Sequence, residues 1–348
     1  MANTLVYQTD SGLYCEAGDF YIDPWKPVPR AVVTHPHSDH AHYGSDHYLV
    51  SQEGERIFRM RLGADANLQP IPYGQAVNIN GVNVSLHPAG HIIGSAQIRL
   101  EHNGEIWVVS GDYKLKPDPT CTAFEPVRCH SFITEATFGL PIYHWPESET
   151  VYAEINAWWQ ANQAAGRASL ILAYAVGKAQ RILAGIDASI GPIFTHGAVE
   201  KMVREYRASG VALPDTTPVF EAPKKFDWSK ALIVAPPSAQ GSSWMRRFGK
   251  VSTAFASGWM NIRGTRRRKA LDRGFVMSDH ADWEELLTAI RATEAEQVWV
   301  THGYIPVLAR HLREELGLDG RELRTHYQGE EGSEAVADLA DDTSEVEA

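Results

Sequence analysis

Cysteine is scarce in this chain: Cys15, Cys121 and Cys129 are the three among 348 residues, an odd count with no C-x-x-C spacing. A disulfide framework is thereby excluded, and a reducing, cytoplasmic compartment is the expectation. Long apolar runs are missing as well, and the opening M-A-N-T-L-V-Y-Q-T-D has no basic region leading into an apolar core. Neither a membrane span nor a signal peptide is expected. Positive charge is in deficit, with 32 Lys and Arg against 43 Asp and Glu and a net charge of -11. Most of that excess sits at one end, because the chain from Glu330 onward carries eight acidic residues and no basic one. The segment 329–348 reads as a disordered acidic tail, and its sign says little about the remainder.

What the chain does have is histidine in dense, ordered settings. Directly after the apolar residues Ala31 to Val33 comes T-H-P-H-S-D-H, Thr34 to His40. In an extended run residues two apart point the same way, so His35 and His37 can hold one ion between them. Asp39 and His40 follow where the chain must turn, within reach of a second ion. Imidazole with carboxylate suits zinc, manganese or iron better than calcium, whose ligands are oxygens. A polar loop that merely happens to be histidine-rich is the alternative, and it leaves four such groups at a strand end unexplained.

The device recurs. After the alternating Val82, Val84 and Leu86 stands H-P-A-G-H-I-I-G-S-A, in which Gly90 and Gly94 let the backbone approach closely and free His91 to point into a cleft. His87 lies within that strand and reads as a structural residue. Ile106 to Val109 forms a buried strand that ends in S-G-D-Y and presents Asp112, whose two carboxylate oxygens can bridge two cations. Q-V-W-V-T-H-G-Y then ends another apolar strand at His302. Ligand-type side chains at four strand ends are what a site built along one edge of a rigid sheet requires.

The pattern changes between Pro146 and Leu213 to helix and strand in alternation: helix at Val151–Ala165, strand at Leu170–Tyr174, helix at Lys178–Gly185, strand at Pro192–Thr195, helix at Val199–Ala208. Further strands are expected at Ala231–Ala235 and Val251–Ala256. Histidine-terminated strands resume only afterwards, so a first domain, 1–139, is interrupted by an insert, 140–270, and completed by 271–328. Within and beside the insert, Arg246, Arg247, Lys250, the run R-G-T-R-R-R-K and Arg273 make a local basic patch suited to phosphates, with a solvated charged helix as the bland alternative. Lys178 in V-G-K-A-Q and Ser257 in A-S-G-W are further candidates for phosphate contact, although no G-x-x-x-x-G-K-S/T is present. Arg263, Arg266, Arg267 and Arg268 complete that set. Trp145, Trp158, Trp159, Trp244 and Trp259 are candidates for stacking on bases or for packing in the core.

T-H-P-H-S-D-H, P-A-G-H-I-I-G-S-A, S-G-D-Y and V-T-H-G resemble the ordered motifs of the metallo-β-lactamase fold, an αββα sandwich with metals at the edge of its sheets. T-E-A-T-F-G at Thr134, A-V-G-K-A-Q at Ala175 and M-S-D-H-A-D at Met277 are similar to the β-CASP branch, whose known members are nucleases. With Y-C-E-A-G-D-F-Y-I-D-P near the start and coverage from about residue 5 to 328, the chain most resembles the bacterial ligase-associated DNA exonuclease family. The resemblance implies a two-metal exonuclease acting on single-stranded or end-containing DNA in repair, alongside an ATP-dependent DNA ligase and a helicase. It gives His35, His37 and His91 to one divalent transition-metal ion and Asp39, His40 and His302 to another, with Asp112 bridging; zinc is the expected metal and manganese the alternative. It places Asp39, Glu135 and His280 at the reaction itself, Glu135 orienting His280. Eukaryotic DNA-crosslink-repair members carry an aliphatic residue where His302 stands and RNA-processing members carry histidine, which favours a full two-metal site and loosens the link to DNA.

The chemistry that follows is hydrolysis of a phosphodiester, with metals activating water and offsetting charge on the non-bridging oxygens, and with His280 contacting the phosphate or assisting the leaving group. M-S-D-H-A-D-W-E-E-L also reads as a helix start capped by Ser278 or Asp279. A ribonuclease of the same fold, a binding scaffold that has lost catalysis, and a small-molecule thioester or lactam hydrolase are the competing readings. The last leaves the insert and the arginine run without a task.

Overall fold

A computed structural model describes residues 4–262 and 271–323. The runs Arg263, Arg266, Arg267 and Arg268 and the acidic tail lie outside the described residues. The chain is mixed α/β with three sheets and divides into two compact units, one reaching to His144 and resuming at His280, the other Trp145–Asp279. The second unit thus extends past the boundary that the sequence pattern suggests at 270, because the strand Arg273–Phe275 pairs with Val251–Ala256 and buries Phe275 and Met277 in that unit's core.

In the first unit β1 (Tyr7–Gln8), β2 (Leu13–Cys15), β3 (Phe20–Ile22), β4 (Ala31–Val32), β5 (Tyr48–Ser51) and β6 (Leu68–Ile71) form one sheet in chain order. A second sheet runs β19 (Asp319–Glu322), β18 (Gln297–Thr301), β11 (Ser131–Glu135), β10 (Glu105–Val109), β9 (Ala96–His102), β8 (Val82–Pro88), β7 (Ala76–Ile79). Two of its hairpins turn on Asn80-Gly81 and Asn103-Gly104, all four at positive φ, the conformation that a two-residue loop between right-twisted strands needs. From β10 onward the neighbours β11, β18 and β19 are parallel, with Ser131 opposite Gln297.

Alternation decides the layers. Leu13, Ile22, Val32 and Leu49 of the first sheet share a core with Val84, Leu86, Ile98, Trp107 and Ile133 of the second. The other face of the first sheet, through Ala31, Tyr48 and Val50, packs on Phe58 and Leu62 of helix α1 (Glu55–Leu62). The other face of the second sheet packs on Leu286 and Ile290 of α5 (Trp283–Ala292) and Leu308 and Leu312 of α6 (Ile305–Glu314). The order is helix, sheet, sheet, helix. Helix α5 starts later than the Ser278 or Asp279 cap that the sequence also admits: Asp282 accepts from Glu285 N at 3.0 Å and Glu285 returns the contact to Asp282 N at 3.1 Å. That reciprocal box, worth about 1 kcal/mol, leaves His280 on non-helical chain.

The second unit holds a six-stranded sheet, β14 (Thr217–Pro218), β13 (Ile193–Thr195), β15 (Leu232–Ala235), β12 (Ala168–Leu172), β16 (Val251–Ala256), β17 (Arg273–Phe275), parallel throughout. Parallel sheets need cover on both faces, and β12 and β15 are accordingly buried at every residue. Helices α2 (Ser148–Ala164), α3 (Lys178–Gly185) and α4 (Gly197–Ala208) cover one face. Phe226, Trp228, Trp244 and Phe248 pack against the other. Trp159 and Trp145 are buried in packing rather than presented for stacking; Trp158, Trp244 and Trp259 are half-buried. No helix among the described residues is long and apolar enough to cross a membrane.

Candidate metal centre

The centre is built at strand ends of the first unit. Strand β4 stops at Val32, and Thr34 is then fixed by Asp23, which follows β3: Thr34 N donates to Asp23 Oδ1 at 2.8 Å and Thr34 Oγ1 to Asp23 Oδ2 at 2.6 Å. Asp23 Oδ2 also takes His40 Nδ1 at 2.7 Å, and Thr34 Oγ1 lies 3.0 Å from His35 Nδ1. With both Nδ1 atoms engaged in this way, Nε2 of His35 and of His40 is the nitrogen left for a ligand, the usual division of labour around a metal-bound imidazole.

Asp112 is set by Gly111, whose φ of +58° suits glycine and where a Cβ would lie 2.6 Å from Thr34 Cβ. Gly90 plays the same part before His91, at φ +72° with a Cβ that would meet the Lys114 carbonyl oxygen at 2.3 Å. The outcome is one carboxylate oxygen among imidazoles. Asp112 Oδ2 lies 3.4 Å from His35 Nε2, 3.6 Å from His40 Nε2, 3.9 Å from His91 Nε2 and 4.0 Å from His280 Nδ1. His37 Nδ1 approaches His91 Nε2 at 3.0 Å.

Ligand atoms within 4.8 Å of one another form three overlapping groups among the described residues: His35, His37, His91 and Asp112; His35, Asp39 and His40; Asp112, Glu135 and His280. His302 belongs to none of them. Its ring stacks on His40 with centroids 5.5 Å apart, its φ is +55°, and it lines a cavity of about 30 Å³ with Asp23, Trp25, Asp39 and His40. Glu135, at the end of β11, accepts from Tyr113 N at 2.9 Å and holds His280 Nδ1 at 2.9 and 3.1 Å through its two oxygens.

Electrostatics in this cluster are opposed. Burial disfavours charge on His40, but Asp112, Asp39 and Asp23 outweigh it and hold its pKa up to about 10. Burial pushes the Asp112 carboxyl up to about 7. Burial and the charged His40 beside it drive His35 well down, and the same two causes bring His302 to about 4. Buried His35 Nε2 has no hydrogen-bond partner among the described residues, a cost of about 1–3 kcal/mol for a polar group left so. A divalent cation beside Nε2 would remove that cost and offset the carboxylates together. The nitrogen-plus-carboxylate donors fit a transition metal.

Other residues singled out from sequence stand elsewhere. His87 faces Ser85 Oγ at 3.0 Å on β8, outside the three groups. In the second unit Lys178 is buried, 3.6 Å from Asp279 and 4.5 Å over the Tyr174 ring, and Ser257 is buried with its Oγ accepting from Trp259 N at 3.3 Å. Asp23 is the residue that the sequence reading missed. A strand-end acid, in Y-I-D-P, was the available signal.

No family model matches the chain. It is 31% identical over 309 residues, 87% of its length, to a probable DNA ligase of Opitutus terrae, of which the match covers 30%. It is 29% identical over 185 residues to cleavage and polyadenylation specificity factor subunit 3 of Dictyostelium discoideum, covering 50% of this chain and 23% of that one, and 27% identical over 165 residues to the endoribonuclease ysh1 of Schizosaccharomyces pombe, covering 45% and 22%. The chain therefore spans less than a third of the length of these relatives. Among solved structures it resembles a protein of unknown function from Enterococcus faecalis V583, with a TM-score of 0.54, 12% identity, and coverage of 86% of this chain and 79% of that one. That likeness concerns the fold alone.

Proposed function

We propose that this chain is a metal-dependent phosphodiesterase of the β-CASP branch of the metallo-β-lactamase fold, an αββα sandwich with an inserted α/β domain, which shortens DNA from an end. The observation that carries the reading is the crowding of four imidazoles around Asp112 Oδ2, with His35 Nε2 lacking a hydrogen-bond partner among the described residues. His35, His37 and His91 would hold one divalent ion, Asp39, His40 and His302 a second, and Asp112 would serve both; zinc suits these donors, with manganese the alternative. When bound, such ions supply Lewis acidity and make water available as a nucleophile at neutral pH.

The chain's own groups do the rest. Glu135 fixes the His280 ring through Nδ1, which leaves Nε2 as the nitrogen that can meet the phosphate and deliver a proton to the departing oxygen. Asp23 keeps a proton on His40 Nδ1 and so keeps Nε2 free as a ligand. Lys178, Ser257 and Arg263, Arg266, Arg267 and Arg268 are proposed phosphate contacts.

DNA is favoured because a similarity spanning 87% of the chain is to a protein named as a probable DNA ligase, which also supports a functional link with ligation. The similarity to an endoribonuclease over 45% of the chain supports the second reading, RNA as substrate through the same metals. End-labelled DNA and RNA of one sequence, beside a closed single-stranded circle, decide between them. Progressive shortening of linear DNA with the circle intact is expected; preference for RNA, or rapid cutting of the circle, would overturn the DNA exonuclease reading.

A further inference from the structure

The loop that carries Asp39 and His40 continues to an aromatic ring left in the open. Tyr43 is 76% exposed, the most exposed large apolar side chain among the described residues. The chain beneath it is braced. Tyr48 Oη donates to the His42 carbonyl at 2.8 Å and accepts from Ser45 N at 2.7 Å, while Ser45 Oγ accepts from Val28 N at 3.1 Å. An exposed ring on a braced loop costs little further ordering when something stacks on it.

The ring stands beside the end of α1, where a methyl placed on Gly63 would lie 3.6 Å from Tyr43 Cε2. The helix's own sequence is basic, with Arg56, Arg59 and Arg61 and one acid, Glu55, which pairs with Arg59 at 3.0 Å. Its buried side is Ile57, Phe58 and Leu62, and its open side shows Arg56 and Met60. Arg61 Nε donates to the Pro36 carbonyl at 3.4 Å, between His35 and His37, so the helix is tied to the chain that bears the metal-type ligands.

We propose that Tyr43 and Arg56 form a contact for single-stranded nucleic acid next to the metal centre, the ring stacking on an unpaired base and the guanidinium meeting a phosphate. An accessible ring face at one end of α1 and a cation two turns back along the helix, about 10 Å by helical rise, form the pairing of a stacking platform and a phosphate contact that sequence-tolerant single-strand binding uses. A duplex keeps its base faces stacked and could not use the ring, which is why the occupant is single-stranded. The inference deepens the nuclease reading and rests on it for the strand's presence at this edge.

The test is affinity, by fluorescence anisotropy, of the full-length metal-loaded protein for a cleavage-resistant phosphorothioate single strand and for a strand of equal length built of abasic sites. Tyr43→Ala weakens binding of the base-bearing strand about 10-fold, Tyr43→Phe restores it, and the abasic strand binds parent and Tyr43→Ala alike. Arg56→Gln weakens both strands and lowers the salt slope by about 0.7. Metal content stays that of the parent in all three. Equal affinity of Tyr43→Ala for the base-bearing strand overturns the stacking contact, as does an equal loss on the abasic strand, which would make the ring a support for its loop. A parent that binds with these dependences yet cleaves no phosphodiester sinks the nuclease reading and leaves this contact standing. A parent that cleaves while Tyr43→Ala binds normally sinks this contact alone.

Discussion

In the unit Trp145–Asp279 buried charge meets buried charge: Lys178 Nζ lies 3.6 Å and Arg181 3.4 Å from the Asp279 carboxylate, and Arg181 also donates to the Ser278 carbonyl at 2.7 Å. In the other unit four imidazoles crowd one oxygen of Asp112, Asp39 and Glu135 stand alongside, and His35 Nε2 has no hydrogen-bond partner among the described residues. Both clusters are taken out of water and both carry polar groups that a fold does not bury without reason. Cations already stand opposite the carboxylate in the first cluster. The second is acid and imidazole gathered on one spot, and it makes sense as a scaffold for ions that come from outside. Burial alone does not mark a site; ligand-type imidazole and carboxylate atoms converging on one spot do.

Changing the two clusters should therefore produce different kinds of damage. The largest expected effect is at Asp112: Asp112→Asn removes charge from the carboxylate that four imidazoles share, and cleavage should fall by ~1000-fold or more with metal content reduced. Retention of full metal content and rate would show that Asp112 is peripheral. In the second unit Asp279→Asn leaves Lys178 and Arg181 without that carboxylate, and stability should drop by about 3–5 kcal/mol, read from denaturant midpoints. Metal content should be untouched. Loss of metal with no loss of stability would invert the comparison.

Smaller effects sharpen the picture inside the metal-bearing unit. His280→Ala should cut single-turnover cleavage by ~100-fold while sparing metal content and DNA affinity, the scale of a lost acid-base group. Cleavage at the parent rate would remove His280 from the reaction. Asp23→Asn should weaken metal binding roughly 10-fold, since the amide holds His40 less firmly in the required tautomer. Titration of the stripped protein with zinc reads this directly, and an unchanged affinity would make Asp23 a loop brace only.

How far the molecule is legible in its sequence follows from what each residue depends on. Lys178–Gly185 and Val251–Ala256 are found at the residues expected, because a local apolar period decides them. His35, His37, His91 and Asp112 announce themselves because their residue types have no packing motive at strand ends. Asp23 does not: a lone acid before proline is common, and its part depends on Thr34 and His40 arriving through the fold. The cap of α5 is ambiguous in the sequence because Ser278, Asp279 and Asp282 all have capping chemistry, and only the return contact from Glu285 selects Asp282. Strand order was beyond reach for the same reason as Asp23, since β11 finds its partner β18 only after the whole second unit has intervened.

The measurement that bears most directly on the central claim is the metal content of the purified protein, by elemental analysis against protein concentration. Two transition-metal ions per chain are the expected result, falling together in Asp112→Asn. A parent protein that binds no transition metal when zinc or manganese is supplied, or holds a single ion with His302 remote from it, would contradict the account of the cluster around Asp112.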